Sequence, residues 1–591
     1  MLVTLAALSA SFLFGQSATA GLTGRVTDAR GRPLPQAVVT LTAGTGVFEA
    51  RCGVDGRFTM AAVPVGEATL LVEAAGYTSD RRRLVVSEGL AVDVVLRPLA
   101  FAEELTVTAA RTTTSQADTP ASVVVVSRDD LWTTPAVTLD DALRQVPGFS
   151  LFRRAGSRTA NPTTQGAFLR GVGASGASRA LILDDGIPIN DAFGGWVQWG
   201  RVPRAALGRV EVLRGGGSDV HGSGALAGVV HLVRQPVERR TLLLDSSYGT
   251  QATSQVSLLL GGRKARWAAA LAAESFRTDG YILVGESDRG PADTPAGVRY
   301  TTADLSLEHE LAPGTRLFVR GSVFDESRAN GTPLQTNATD LRELRLGADG
   351  RLGTGAFSLR AHAGDQAYEQ TFSAISADRS SETLTRSQRV PADSAGASGH
   401  WRQPFGARVA VAGGFSIRQV SGTSEEDVFT RPGAAPVRTR TGGRQRDLGA
   451  FAEALVTPHA DLTLTAAARL DSWRNEAEGA SAAAARREEA LSPRLSVLWR
   501  AGQGVAVSAA GYRAFRVPSL NELYRPFRVG NVLTLANDAL EAERLSGAEV
   551  GVRVVRGAAA ARATAFWMDA EQTVGNVTLS VMPALITLPC R

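Results

Sequence analysis

A period of two in apolar and polar positions runs through the chain beyond residue 239. The segments that alternate most clearly are TRLFVRGSVF (315–324), ARVAVAGGFSIRQ (407–419), DLGAFAEALV (447–456) and ADLTLTAAARL (460–470). Successive side chains of an extended strand point to opposite faces, so each segment predicts a strand with one apolar face. Within residues 448–455 the only ionisable residue, Glu453, falls on one face, as a water-lined interior permits.

The connections between these segments also alternate, between tight and long. LAPGTR (311–316), TPHAD (457–461) and RAGQG (500–504) are tight links, whereas polar stretches near 273–300, 370–400, 418–447 and 471–492 predict long loops. A soluble sandwich or propeller explains the alternation of side chains equally well, but it does not explain the regular succession of short and long connections. Residues 239–591 are therefore predicted to form a large antiparallel transmembrane β-barrel.

The N-terminal part of the chain has a different texture. Residues 21–98 contain short strand patterns near GRVTD, AVVTLTA, GRFTM, ATLLVEAAG, RRLVVS and AVDVVLRP, separated by clusters of turn residues. Asp55-Gly56 is a tight-turn signal between two of them. The pattern predicts a small β-sandwich.

Residues 99–118 are polar and predict a linker with one short alternating stretch, Glu104, Leu105, Thr106, Val107 and Thr108. A short extended peptide with flexible flanks can add itself as a strand to the sheet edge of a partner. Chance alternation within a linker explains these five residues equally well.

Residues 119–238 mix strand patterns with one helical pattern, which predicts an α+β domain. The strands are ASVVVVS, RALILDDG, GRVEVLRG and GVVHLV, and the helical pattern covers residues 137–146, with Thr138 as its N-cap, before Pro147-Gly148 ends it. Asp184-Asp185-Gly186-Ile187-Pro188 predicts a turn between strands.

Composition narrows the function classes. The 62 glycines and 25 prolines, with 44% apolar and 20% charged residues, suit short strands and turns. The 63 basic and 58 acidic residues are interspersed, so the net charge of +5 predicts no nucleic-acid partner. Cys52 and Cys590 are the only cysteines and indicate neither a disulfide framework nor a thiolate metal site.

Catalytic and cofactor motifs are not found in the sequence. The six histidines have no HExxH or HxxE spacing for zinc, so no metal site is predicted. The glycine clusters at 215–217 and 222–224 lack the GK[ST] and GxGxxG patterns of nucleotide-binding loops. We therefore predict no catalytic residues and no cofactor, and a protein that is not an enzyme.

The first residues predict export. Residues 2–16 are apolar and Ala18-Thr19-Ala20 supplies small residues for cleavage, so residues 1–20 are predicted to be a signal peptide. No Lys or Arg precedes the apolar run, and a buried first strand is the alternative. No later window has eighteen uninterrupted apolar residues.

Several motifs in a fixed order carry a family resemblance. LDDALRQVPGF (139–149), LRGVGASGASRALILDDGIPIND (169–191) and RVEVLRGGGSDVHGSGALAGVVHLV (209–233) resemble the plug domain of TonB-dependent receptors. Phe515-Arg516-x-Pro518-Ser519-x-Asn521-Glu522-Leu523 and Ala536-Asn537-x-x-Leu540-x-x-Glu543 match the same family late in its barrel. His221 and His231 stand where the family more often has an aromatic residue and an amide.

Two further segments resemble known parts of such receptors. Gly24-x-Val26-x-Asp28, Gly31-x-Pro33-Leu34, Asp55-Gly56-x-Phe58 and Ala75-Gly76-Tyr77 are similar to a carboxypeptidase-regulatory-like domain, a non-catalytic sandwich. Residues 104–108 resemble a TonB box. The resemblance implies the TonB energy-transducing complex, outer-membrane lipid and a small nutrient ligand as partners, with the sandwich in the periplasm.

The resemblance implies active import across the outer membrane without covalent chemistry. A ferric siderophore is the leading expectation for the nutrient, with cobalamin or an oligosaccharide as the alternative. A passive or adhesive outer-membrane barrel remains a further alternative, although neither needs a plug.

A loop of the plug is the candidate contact with the nutrient. Asn190, Asp191, Trp196 and Trp199 are predicted to face the substrate, because paired indoles beside amide and carboxylate groups offer both apolar and hydrogen-bonding contacts. Packing within the plug core is an equally good explanation of these residues.

Length adds one more expectation. The family barrel has about twenty-two strands and needs roughly 440 residues, at about twenty per strand and connection. Residues 241–591 number only 351, and the chain ends in Leu588-Pro589-Cys590-Arg591 rather than in an aromatic strand. We therefore expect a truncated or frameshifted product in which roughly four or five closing strands are missing.

Overall fold

The structure is a computed structural model. It describes residues 19–28, 31–43, 46–74, 77, 80–96, 106–107, 114–115, 119–153, 155–173, 175–237, 240–406, 408–430, 435–479, 484–502, 504–529, 532–556 and 559–579. The fold of these residues is mainly β, as the alternation predicts. None of their helices has the length and apolar character needed to cross a bilayer.

The N-terminal segment forms the predicted β-sandwich. Its strands are β1 (Thr19–Asp28), β2 (Val38–Ala43), β3 (Gly46–Arg51), β4 (Arg57–Pro64), β5 (Gly66–Glu73), β6 (Asp80–Val86) and β7 (Ala91–Leu96). One sheet has the order β4-β1-β7 and the other β3-β2-β5-β6. Alternate residues such as Leu22, Leu41 and Leu70 are fully buried between them, because each strand turns one face inward.

The predicted signal peptide lies mostly outside the described residues and stays a prediction. Thr19 and Ala20, which it includes, begin β1, and the side chain of Ala20 is buried. In the linker, β8 (Thr106–Val107) pairs with β9 (Thr114–Ser115).

The plug segment, residues 119–237, has a five-stranded sheet at its centre. Its elements are β10 (Ser122–Ser127), α1 (Arg128–Thr133), α2 (Leu139–Leu143), β11 (Phe149–Leu151), β12 (Ala167–Leu169), β13 (Ala180–Asp184), β14 (Ile187–Pro188), β15 (Leu207–Arg214), α3 (Ser218–His221) and β16 (Gly228–Arg234). The order of this sheet is β10-β15-β16-β13-β14. The four strand patterns read from the sequence coincide with β10, β13, β15 and β16.

The predicted helix of the plug is shorter than its pattern, because α2 covers only residues 139–143. Thr138 stands at the N-cap but its hydroxyl makes no capping hydrogen bond. The predicted turn is confirmed: β13 and β14 form a hairpin in which Asp185 and Gly186 both have positive φ, +49° and +85°. Such a turn matches the twist of the flanking strands.

Fifteen strands of the described residues form one large sheet in sequence order. They are β17 (Thr241–Gly249), β18 (Thr253–Lys264), β19 (Trp267–Tyr281), β20 (Ala296–Ala312), β21 (Thr315–Asn330), β22 (Thr336–Leu352), β23 (Gly355–Ile375), β24 (Glu382–Phe405), β25 (Val409–Val428), β26 (Val437–His459), β27 (Leu462–Gly479), β28 (Arg486–Gly502), β29 (Val505–Arg516), β32 (Glu543–Arg556) and β33 (Ala559–Glu571). The connection after β29 contains α4 (Leu520–Tyr524) and the hairpin of β30 (Phe527–Val529) and β31 (Val532–Thr534).

Neighbouring strands from β17 to β29 pair antiparallel. Within the described ranges the sheet order begins at β17 and ends at β33, with no pairing between the two. The estimate from sequence length, at about twenty residues per strand and connection, predicts more strands than these fifteen. The number is smaller because individual strands are long, up to 24 residues in β24.

The predicted long loops are wrong in extent. The stretch 370–400 is mostly strand, since β23 ends at Ile375 and β24 begins at Glu382. Likewise β25 and β26 occupy most of 418–447. Backbone hydrogen bonds of a ladder do not require apolar side chains, so strands continue into segments that are polar on both faces.

The two faces of the large sheet differ where the pattern predicts a difference. In β21 Phe318 and Phe324 are buried, whereas Leu317 and Val323 on the opposite face are exposed. Phe324 packs with Tyr300 of β20 in a buried cluster, and Val137 of the plug segment packs against that cluster. The buried face therefore surrounds the plug and the exposed face carries an apolar surface.

Gly228 is a position in the plug where the backbone leaves no room for a side chain. Gly228 begins the central strand β16 with φ of +145°, and a Cβ there would lie 2.2 Å from the carbonyl oxygen of Leu213. Gly228→Ala should destabilise the plug by about 1–3 kcal/mol or more, because only glycine adopts this conformation without strain. The measurement is the rate of trypsin cleavage within the plug of the purified protein.

Gly262→Ala in β18 is the matched control, since a Cβ added at this position would meet no atom within 4 Å and its φ is ordinary. Equal cleavage rates for the two variants would contradict the prediction.

Candidate functional site

The loop predicted to face a substrate follows β14 and reaches the side of the plug that meets the long connections of the sheet. The backbone carbonyl of Phe193 accepts a hydrogen bond of 3.0 Å from Asn521 of α4. Phe193 and Trp196 share a buried cluster with Leu520 and Leu523 of that helix. The loop therefore lies beneath α4, at the end of the sheet opposite the tight turns.

The polar residues of this loop hold its shape. Asn190 accepts the backbone N–H of Ile182 at 2.9 Å through its side chain. One Asp191 oxygen accepts backbone N–H groups of Phe193 and Gly194, and the other accepts the amides of Gln198 and, from β23, Gln366 at 2.8 Å. Burial raises the pKa of Asp191 above its ordinary value, against the opposing effect of these donors.

The two tryptophans do not come together in one surface. Trp196 is 3% exposed and lies 5.5 Å, between ring centroids, from Tyr368 of β23. Trp199 is 4% exposed and packs edge-on against Phe149 in the plug core. Within the part of the chain that the structure describes, neither indole N–H has a hydrogen-bond partner. Of the pair, Trp196 contacts the sheet.

Of the other predicted contact residues, Thr106 and Val107 form β8 in the linker. Glu104, Leu105 and Thr108 lie outside the described residues, so the partner-binding assignment of 104–108 stays a prediction.

The plug is joined to the late strands of the sheet by a buried ion cluster. Arg179, 1% exposed, places Nη2 2.5 Å from Oε1 of Glu543, which begins β32 and is fully buried. Glu543 also pairs with Arg516, the last residue of β29. Arg516 in turn binds both oxygens of Glu522 at 2.9 and 3.0 Å.

Local structure positions the three carboxylates of this late cluster, Glu522, Glu543 and Glu549. Glu522 is the third residue of α4, where it forms a capping box with Ser519. Glu549 lies six residues beyond Glu543 on the same inward face of β32, and it pairs with Arg170 of the plug at 2.7 Å. Two plug arginines thus meet two carboxylates of one strand.

A second buried cluster joins the plug to the early strands. Asp184, at the end of β13, pairs with Arg234 of the plug at 2.6 Å and with Arg345 of β22. Arg234 also lies 2.6 Å from Asp304 of β20. Glu343 of β22 completes the cluster by pairing with Arg345 at 2.6 Å and with Arg201 of the plug at 2.7 Å.

The charges in the early cluster compensate one another. Burial alone raises the pKa of Asp184, but the guanidinium groups of Arg234 and Arg345 outweigh burial and hold it well below its ordinary value. Asp185, 3.0 Å from Arg320 of β21, has a lowered pKa for the same reason. Both carboxyls are therefore ionised, and each ion has a counter-ion.

The sequence motifs contain several of these residues without showing their partners. Arg516, Glu522 and Glu543 belong to the late motifs, and Arg170 and Arg179 to the plug motif. Arg179 and Glu543 are 364 residues apart, so no local pattern indicates the pair.

Metal ligation finds no support in the described ranges, where no group of three or more His, Cys, Asp or Glu side chains is arranged to hold an ion. Cys52 is buried in the sandwich as a free thiol. The buried polar residues described above position the plug against the sheet through ion pairs and hydrogen bonds.

Comparison with protein families gives three matches in sequence order. Residues 21–97 match the Carboxypeptidase regulatory-like domain, residues 115–229 the TonB-dependent Receptor Plug Domain, and residues 247–584 the TonB dependent receptor-like, beta-barrel family. The barrel match alone covers more than half of the chain.

Individual relatives are distant. The chain is 27% identical over 211 residues to the Vitamin B12 transporter BtuB of Vibrio vulnificus (strain YJ016), a match that covers 35% of this chain and 33% of that protein. The chain thus spans about a third of the length of this curated relative.

Two solved structures share the fold. The siderophore receptor PirA from Acinetobacter baumannii has a TM-score of 0.59 at 18% identity, covering 76% of this chain and 70% of that one. The ferripyoverdine receptor of the outer membrane of Pseudomonas aeruginosa has a TM-score of 0.64 at 15% identity, covering 83% and 71%.

A plug that shares buried charges with the strands around it, and family matches that follow one another along the chain, lead to the same identification. The chain belongs to the TonB-dependent receptor family of the outer membrane, and it carries an N-terminal carboxypeptidase regulatory-like domain.

Proposed function

We propose that this chain imports a scarce nutrient across the outer membrane with energy delivered through TonB. The observation that carries the proposal is the attachment of the plug by ions. Arg170 and Arg179 on one side, and Asp184 and Arg201 on the other, pair with buried charges of the sheet.

Charge pairing of this kind resists spontaneous opening. Separating one partner from a buried pair costs about 3–5 kcal/mol, because the other charge is left without compensation. Several such pairs must separate before the plug moves, and thermal fluctuation alone makes this rare. Opening therefore requires a mechanical force applied to the plug, which favours an energised importer over a passive channel.

The pull is proposed to act on residues 104–108, the predicted TonB box. β8 and β9 in this linker form a two-residue pairing, Thr106 with Ser115 and Val107 with Thr114, which is too short to be stable alone. An extended segment of this kind is suited to add as a strand to a partner's sheet edge.

A ferric siderophore is the proposed substrate. The named function of two structural neighbours, a siderophore receptor and a ferripyoverdine receptor, supports it. Cobalamin is the second candidate, because the curated sequence relative is a vitamin B12 transporter. The loop of Asn190, Asp191 and Trp196 is the proposed sensor of the substrate, with Gln366 linking it to β23. Trp199 packs in the plug core and is left out of this proposal.

The ion-paired plug predicts a specific loss of stability. Arg179→Met and Glu543→Gln should each weaken plug retention by about 3–5 kcal/mol, and the double variant should lose less than the two single losses combined. The measurement is the urea concentration at which trypsin cleaves the plug in outer-membrane fractions.

Arg277→Gln is the matched control, since Arg277 and Asp279 form an exposed pair with 65% and 54% side-chain exposure. Its effect should stay below about 1 kcal/mol. Additive losses at Arg179 and Glu543 would contradict the pairing.

Removal of residues 104–108 should abolish uptake while leaving surface binding of the substrate unchanged, because only the coupling to TonB is lost. The measurement is accumulation of radiolabelled ferric siderophores and of cobalamin in cells that lack their own receptors. Deletion of residues 99–103 in the same linker is the control and should leave uptake intact. Uptake that survives removal of 104–108 is incompatible with the proposal.

Trp196→Phe should weaken binding of the transported ligand while preserving the packing against Tyr368, because the indole N–H is removed and an aromatic ring is kept. Binding affinity at equal surface abundance is the measurement. Trp199→Phe, buried in the plug core, is the control. Unchanged affinity for the Trp196 variant would remove this loop from the proposed site.

A further inference from the structure

An apolar layer closes the space between the plug and strands β23 to β25 on the side of the long connections. Phe193 and Trp196 of the plug pack there with three inward side chains of the sheet, Tyr368, Ala392 and Val420. Each of these five residues is at most 3% exposed. We call them the apolar layer.

The next inward residues of the same strands, toward the tight turns, are polar. Gln366 of β23, Ser394 of β24 and Arg418 of β25 each lie two residues from a member of the apolar layer, so they point to the same face. Ser394 and Arg418 are partly exposed, unlike the side chains of the apolar layer. Water therefore reaches this level from the side of the tight turns.

A small cavity lies between these polar residues and the plug. Its volume is about 20 Å³, and its lining includes Asn190 of the plug with Gln366, Ser394 and Arg418 of the sheet. A cavity of this size has room for about one water molecule. Because Asn190 belongs to the proposed sensor loop, a movement of that loop away from the sheet enlarges the cavity.

Arg418 differs from the other inward arginine of this cavity. Arg201 lies 2.7 Å from Glu343, which also lines the cavity, so these two charges compensate each other. Nε of Arg418 is buried and has no hydrogen-bond partner among the residues that the structure describes. Asp447 is directly opposite Arg418 on β26, but its buried Oδ1 also lacks such a partner in the described ranges. Arg418 therefore has hydrogen-bonding capacity that the resting fold does not use.

We propose that Arg418 is an inner binding site for an anionic oxygen of the transported ligand, a carboxylate or a phenolate, once the ligand has passed the apolar layer. A guanidinium group binds such oxygens through strong, charge-assisted hydrogen bonds. A partly buried charge without a partner costs free energy, so its presence is not explained by stability of the resting fold. The inference rests on the proposed import function, but the site has properties that are measured without transport.

The first test measures the charge of the site in the purified full chain, with Cys52 and Cys590 changed to Ala. Ser394→Cys introduces a thiol at the cavity, and its reaction rates with an anionic methanethiosulfonate sulfonate and with the cationic trimethylammonium analogue are compared. Adding Arg418→Gln should lower the ratio of the anionic to the cationic rate roughly fivefold to tenfold, because a nearby positive charge is lost.

Arg446→Gln is the matched control for this ratio, because Arg446 is an exposed residue on the outward face of the neighbouring strand β26. It should change the ratio by less than about twofold, since water and salt screen an exposed charge. A thiol at position 394 that does not react, or a ratio that Arg418→Gln leaves unchanged, would overturn the inner site.

The second test measures transport and stability. Arg418→Gln should lower uptake of the radiolabelled ferric siderophore or cobalamin about tenfold at unchanged surface binding, because a charge-assisted contact below the outer loop is lost. Arg418→Lys, which keeps the charge, should restore most of the uptake. The urea concentration at which trypsin cleaves the plug should not fall in Arg418→Gln.

Arg345→Gln is the contrast for stability, since Arg345 lies 2.6 Å from Glu343 and also pairs with Asp184. This variant should lower the urea concentration at which the plug is cleaved. An equal fall in Arg418→Gln would assign Arg418 a structural role only and overturn the inner site.

The two tests separate the inner site from the import function. A charge-dependent thiol reaction in a chain that accumulates neither radiolabelled probe would support the inner site and contradict the import function. Accumulation that is equal in Arg418→Gln and in the unaltered chain would support import and overturn the inner site.

Discussion

The structure depends on the pairing of charges buried between the plug and the large sheet. A charged side chain inside a protein is tolerated only when a counter-ion and hydrogen bonds replace water. In the early cluster and its neighbours four carboxylates meet four guanidinium groups, contributed by Asp184, Asp185, Asp304 and Glu343 and by Arg201, Arg234, Arg320 and Arg345. Buried charges of the plug and of the sheet therefore each have counter-ions on the other.

This constraint also explains why the plug keeps one position. Apolar contacts have no direction, so an apolar plug can slide within the sheet without large loss. Ion pairs at 2.5–2.7 Å, such as Arg179 with Glu543 and Arg170 with Glu549, are lost when either side moves by a few ångströms. Glu543 holds Arg516 as well, and Arg516 holds Glu522 of α4, so the position of the plug is linked to that of an outer connection.

The separation along the sequence between interacting residues decides which parts of the structure can be predicted from the sequence. Period-two alternation and local turn chemistry depend on adjacent residues, and they predict β10, β13, β15 and β16 and the turn at Asp185-Gly186. The ion clusters depend on residues far apart, and the motifs contain Arg179 and Glu543 without pairing them. The predicted loops are too long because polar composition does not end a strand, since a ladder needs only backbone groups. The candidate loop residue Trp199 lies in the plug core, a position that spacing alone does not separate from that of Trp196.

Residues that are adjacent in sequence carry different polar groups to the two faces of the sheet, because neighbouring side chains of a strand point to opposite sides. On β27, Asn475 points inward and its side-chain oxygen accepts a hydrogen bond from Gln445, whereas Arg474 and Glu476 on either side point outward. A one-residue shift in register would exchange these surroundings and bury an arginine among the inward groups. The alternation of inward amide and outward charged side chains on β27 therefore adds to the apolar alternation in fixing the register of this strand.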